Sequence, residues 1–214
     1  YQTVNNTSQR LNTLKLDTNL HPRNSVAVTY THHTDEQTGA MGMLTSSANW
    51  PQFRRTFVTF GTVVAVRDTH IFSPTVVNEF RAGFGRTSPI FVIDSTVPVG
   101  PRIVFANGQV DRFGSYEGGP QGRVQNTFQY GDTLTWSRGA HSIKVGGDFF
   151  RYQGNSFFEA QTRGVYTFLS WADFASGTPY SITQRFGPTQ RGNRNWNQSA
   201  FAQDDYRVTS TLTL

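Results

Sequence analysis

Between Val124 and Tyr152 the chain alternates polar and apolar positions with few interruptions, VQNTFQYGDTLTWSRGAHSIKVGGDFFRY. Gln125, Thr127, Gln129, Gly131, Thr133 and Thr135 hold one parity, and Val124, Phe128, Tyr130, Leu134 and Trp136 hold the other. Side chains on a β-strand point to opposite faces with period two, so this run predicts a strand with one wet and one apolar face. Ser137-Arg-Gly-Ala140 predicts a tight turn, with Gly139 free to take positive φ. Ile143, Val145 and Phe149 then alternate with Ser142, Lys144 and Asp148, which completes a long hairpin. Asn126 and Asp132 interrupt its apolar face. Each strand exceeds the ~9–11 residues of a tilted bilayer crossing, and far exceeds the ~5–6 residues of a globular strand. An apolar face of this kind is buried by a second sheet in a soluble sandwich, or turned to lipid in an outer-membrane barrel. Length favours the barrel.

The same period recurs along the chain. Residues 11–18 and 25–33 alternate around a turn at 19–24, with Val26, Val28 and Tyr30 on one face. Thr56 to His70 places Val58, Phe60, Val64 and Val66 on one parity; a turn at 71–75 follows. Val76 to Arg86 returns with Phe80, Ala82 and Phe84 on one face and Glu79 and Arg81 on the other. Asn195 to Arg207 is strand-like, though neither parity is clean, and Thr211–Leu214 begins its partner after a turn at 208–210. Between these hairpins lie long loops at about 34–54, 87–123 and 153–194. The second carries the turn signal Asn107-Gly108. The third carries a short strand, 164–169, and a helical turn near Trp171–Ala175. Short turns alternating with long loops are the layout of an up-and-down outer-membrane barrel, and loops this long are unusual in compact soluble domains unless functional. The expected architecture is therefore all-β, an antiparallel up-and-down transmembrane barrel segment occupying residues 1–214. Phe80, Phe84, Phe128, Tyr130, Leu134, Ile143, Val145 and Phe149 should share one face, and Glu79, Arg81, Gln129, Thr133, Lys144 and Asp148 the other.

Composition agrees. Charged residues are 15% of the 214 and aromatics 14%, including 18 Phe, against the ~25% charge of an ordinary soluble domain. No apolar run is long enough for a transmembrane helix, which leaves strand crossings open. Cysteine is absent, so thiol chemistry is excluded. The net charge of +5 is almost all arginine, Lys15 and Lys144 being the only lysines. No basic stripe or nucleic-acid motif accompanies it; lumen and loop arginines facing anionic groups explain the charge better.

Three phrases then carry a resemblance: SPTVVNEFRAGFGRTS (73–88), GAHSIKVGGDFFRYQGN (139–155) and SAFAQDDYRVTSTLTL (199–214). They resemble the barrel of TonB-dependent outer-membrane receptors, in particular the Oar-like group, where "vNEfR-x-Gf-x-R", "HslkfGgdfr" and "FxQDdwrvtpxLTLnlGlRyE" recur. The likeness is spread over roughly residues 11–214, the last phrase being the most specific. It implies a plug domain and TonB box, which this chain lacks, and further strands after Leu214, where the family's "nlGlRyE" would follow. The chain starts at Tyr1 without an initiator Met and stops in a strand, so it is expected to be a piece of a longer barrel, an open curved sheet. The implied setting is the bacterial outer membrane, with membrane lipid and lipopolysaccharide, the TonB complex and an unknown solute as partners.

Catalytic chemistry finds no constellation. His32 and His33 diverge across a strand, unsuited to one metal, and Asp204 and Asp205 diverge likewise; the resemblance suggests a structural role for that pair near the turn, through Arg207. The glycine run 118–122 precedes a strand, without a helix to cradle phosphate, and the sequons at Asn6 and Asn197 are idle in a bacterium. No enzyme, cofactor or metal is expected. Trp136, Tyr130 and Tyr152 read as girdle or lipid contacts. The loop aromatics Phe113, Tyr116, Trp171, Phe174, Tyr180 and Trp196 pack loops together or face ligand. With Arg112, Glu117, Asp173, Arg185 and Arg191 nearby, they are the candidates for ligand capture. The expected function is uptake or recognition of a bulky solute. The alternatives are a soluble β-sandwich carbohydrate-binding module and a surface or adhesion barrel without transport.

Overall fold

The computed structural model describes residues 6–38, 55–93, 99–106 and 112–214, with Phe113 described by its backbone alone. The loop tip 39–54 and the Asn107-Gly108 turn signal lie outside the described residues. Seven long strands form one antiparallel sheet in the order β1 (Asn6–His21), β2 (Asn24–Thr38), β3 (Arg55–Ser73), β4 (Val76–Ile93), β7 (Gln121–Arg138), β8 (His141–Phe158) and β11 (Gln190–Tyr206). Each pairs with its neighbours in sequence order, so the topology is up-and-down. β1 and β11 are the two edges and do not pair with each other: the sheet is open.

Short turns gather at one end. The first turn's Arg23 carbonyl accepts from Ile71 N at 2.7 Å, the Thr75 carbonyl from Ser137 N at 2.8 Å, and the Ala140 carbonyl from Arg207 N at 2.8 Å. Gly139 takes φ +61° in the third turn, as its sequence position requires. At the C-terminus Thr211–Leu214 folds back on β11, Tyr206 and Leu214 exchanging two backbone bonds of 2.9 Å.

The register decides the faces. Direct partners such as Val28, Val66, Ala82, Tyr130 and Phe149 form one continuous row, and Tyr30, Val64, Phe84 and Phe128 the next. All eight apolar residues expected on a common face share it. Glu79, Arg81, Gln129, Thr133, Lys144 and Asp148 share the opposite face. Tyr152 departs from expectation: it pairs with Thr127 and so lies on the polar face, its ring stacked on Phe150 at 6.2 Å. On β8 the apolar parity is odd-numbered, which Tyr152 does not share.

Nothing among the described residues covers the apolar face. The long strands pack on their sheet neighbours, and Tyr130 and Val145 remain 48% and 41% exposed. A sandwich would bury that face under a second sheet, so the soluble-module alternative falls. Two polar pairs on it close within the sheet: Asn78 Nδ2 donates to Asp132 at 2.6 Å, and Asn24 Nδ2 to Asp68 at 2.6 Å, which lowers the cost of these groups in hydrocarbon.

The strands run well into the segments expected as loops, through 34–38, 87–93, 121–123, 153–158 and 190–194. The reason is visible in the row Asn12, His32, Thr62, Arg86, Asn126, Gln153 and Arg194, polar on every strand. Beyond it the alternation signal fades, while backbone pairing continues.

The second and third loops fold together. β5 (Arg102–Phe105) pairs in parallel with β9 (Val165–Phe168), flanked by β6 (Phe113–Gly114) and β10 (Ser181–Thr183). Helix α1 (Trp171–Ala175) is capped by Ser170 Oγ, which accepts from Asp173 N at 3.1 Å. The structure thus has both the short strand and the helical turn expected in the third loop.

Candidate functional site at the loop end of the wall

Two cations of the polar face are held in ion pairs. Lys15 meets Asp17 at 2.9 Å, and Arg81 meets Glu79 at 2.8 Å and Asp148 at 3.6 Å. The last contact crosses β7 above Gly131, where a Cβ would come within 3.2 Å of Arg81 Nη2 and closer still to Asp148 Oδ1. Such a face is suited to a water-filled lumen.

Toward the loop end the lumenal face changes character. Phe57, Phe91, Gln121 and Phe158 are direct partners in one row, and Phe57 and Phe91 lie 4.4 Å apart. The row beneath them sets Arg123, Ser156 and Arg191 side by side. Together with Pro89, the first row and Arg123 and Ser156 of the second line a cavity of about 490 Å³, within the range of small-molecule sites. Arg185 comes from the third loop onto Phe158, its guanidinium 5.6 Å from the ring and Nη1 donating to the Phe158 carbonyl at 3.4 Å. One row above Phe57, Arg55 is 5% exposed and stacks on the Tyr116 ring at 4.1 Å. Its Nε and Nη2 have no hydrogen-bond partner among the described residues.

The loop subdomain has its own core. Phe105 and Phe168 are the buried hydrophobic residues among those described, at 3% and 5% exposure. Phe105 stands 4.6 Å from Trp171, and Phe174 meets Phe168 edge-on at 5.2 Å. Arg102, 1% exposed, pairs with Glu117 at 3.4 Å and donates from Nη1 to the Gly114 carbonyl at 3.2 Å. Burial lowers the Arg102 pKa, with Glu117 opposing that shift and Arg112 and Arg55 adding to it.

The sequence candidates therefore separate. Arg112, Tyr116 and Glu117 gather around Arg102 and Arg55, while Arg185 contacts Phe158 at the cavity's edge and Arg191 stands one strand beyond Ser156, outside the lining. Trp171 lays its ring against Phe105 at the edge of the loop core and stays 54% exposed, and Asp173 is tied to Ser170, whose hydroxyl donates to Asp173 Oδ2 at 2.6 Å. Tyr180 is 69% exposed. Trp196 lies on the wall itself, in β11, with Arg151 4.6 Å above its ring and Phe149 at 5.2 Å. The side chain of Phe113 lies outside the described residues. Phe57, Phe91, Phe158, Arg123 and Arg55 were not among the candidates; the β-parity carried past the apolar zone was the signal that could have found them.

His32 and His33 do diverge: His32 Nδ1 meets Thr62 Oγ1 at 3.0 Å, and His33 lies over Gly61 on the other face. Asp204 pairs with His141 at 2.7 Å rather than with Arg207, and Asp205 accepts from Gln203 at 3.0 Å.

An open up-and-down sheet with a polar lumen and an uncovered apolar face is the wall of a membrane barrel. The family described as an outer membrane beta barrel domain matches residues 1–214. The chain belongs to that family. Its place is accordingly the bacterial outer membrane. No curated protein and no solved structure matches the chain.

Proposed function

We propose that this outer membrane barrel segment belongs to a TonB-dependent receptor that recognises or takes up a bulky solute, a binding and passage protein rather than an enzyme. The observation that supports the reading is the joint fold of two separate loops beside an aromatic- and arginine-lined cavity on the lumenal face. A barrel serving only as a membrane anchor has no use for such a mouth. The apolar face meets membrane lipid, and the arginines beyond it, Arg86 and Arg194, meet the anionic groups of lipopolysaccharide. Energy coupling comes through a plug contacted by TonB. Tyr116, Arg185 and Arg191 are the sequence candidates best placed for capture.

The test compares cells with and without the full-length protein in a rich medium, following which solutes are depleted. Depletion that needs both the protein and a working TonB complex is expected. Solute or surface retention that persists without TonB would favour the adhesion barrel.

A further inference from the structure

We infer that the mouth cavity selects an organic anion with an apolar or aromatic body; this rests on the receptor reading above. The body is matched by the Phe57, Phe91 and Phe158 rings, on which a flat or apolar group can stack. The anion is matched by an imbalance of charge. Arg123 and Arg191 stand on one row with only Ser156 between them, two strand spacings or ~10 Å apart. Neither makes an ion pair among the described residues; of the cations deeper in the lumenal wall, Lys15 and Arg81 are paired while Arg67 and Lys144 are not. The cavity lining contains no carboxylate. The nearest acid on that row is Asp35, on β2, three strands away from Arg123, and Glu159 beside the cavity is engaged by Arg163 at 3.6 Å.

Arg55 adds the second, independent observation. It is buried against Tyr116, two residues from Phe57 on the same face, with two guanidinium nitrogens lacking hydrogen-bond partners among the described residues. A buried guanidinium left in that condition is costly, and a carboxylate, phosphate or sulfonate oxygen relieves the cost with the fork geometry that arginine favours. Arginine here therefore discriminates by charge, and the phenylalanines contribute affinity without discrimination.

Two fluorescent probes with the same ring system test this on the purified full-length protein in detergent. 8-Anilinonaphthalene-1-sulfonate carries the anion, and N-phenyl-1-naphthylamine lacks it. Saturable binding with preference for the sulfonate is expected. Arg123→Gln and Arg191→Gln should each weaken sulfonate binding about tenfold or more and leave the neutral probe within about twofold; Phe91→Ala should weaken both. Heat-modifiable gel migration shows that each variant is folded, and the exposed Arg123 keeps the test valid if Arg55→Gln fails to fold. Loss of both probes to the same degree in the arginine variants, unchanged sulfonate binding in them, or no saturable binding above detergent alone would overturn the inference. Binding in detergent needs no energy source, so these failures are separable from a failure of TonB-dependent uptake.

Discussion

Val63 and Val64 are adjacent, chemically identical and on opposite faces, which makes them the sharpest probe of how this sheet sits in the membrane. Val64 stands in the row Leu14, Tyr30, Val64, Phe84 and Phe128, with apolar partners on both sides. Val63 stands in the lumenal row, between Thr31 and Gly85, is 51% exposed, and the space over Gly85 is open. Replacing each with arginine adds the same charge and volume. At Val64 the guanidinium enters hydrocarbon, at a cost of ~2–4 kcal/mol near the bilayer midplane. At Val63 it enters an aqueous lumen with room to extend, where a surface substitution costs ~0.5 kcal/mol or less. The difference, ~1.5–4 kcal/mol, corresponds to about 10- to 1,000-fold in the folding equilibrium. The assay is denaturant titration of the full-length protein in lipid vesicles, followed by heat-modifiable migration. A Val63→Arg variant as destabilised as Val64→Arg, or more so, would refute the face assignment.

Two further outcomes follow from the close contacts described above. Gly131→Val should place a branched side chain between Arg81 and Asp148, lowering stability by ~1–3 kcal/mol, with Gly131→Ala milder in the same titration. Phe105→Ala should remove the centre of the loop core, at a local cost of ~3–5 kcal/mol; limited proteolysis should then cut within 159–189 while heat-modifiable migration of the wall is unchanged.

Much of the wall was legible in the sequence because a strand's side-chain period is fixed at two. Once Phe128 and Tyr130 are assigned to one face, Gln129 belongs to the other, whatever lies beyond, and turns such as 137–140 with Gly139 are local chemistry. The capped turn at Trp171–Ala175 is local chemistry of the same kind: Ser170 Oγ accepts from Asp173 N and donates to the Asp173 carboxylate, all within four residues. Asp132 interrupts the apolar alternation in the sequence because its partner, Asn78, is on a different strand.

What the sequence by itself determined is thus the parity of the strands with clean alternation, the order of the hairpins and, for residues such as Phe128 and Gln129, the side of the wall they face. Only the tertiary structure decided where the strands end, since the backbone ladder continues through the polar row from Asn12 to Arg194 after alternation has ceased to mark it. It alone brought Arg102 beside Val165 in parallel pairing, Arg55 onto Tyr116, and Arg123 level with Arg191. Those contacts join segments remote in the chain, and their geometry depends on the register of every strand between them, which no local pattern records.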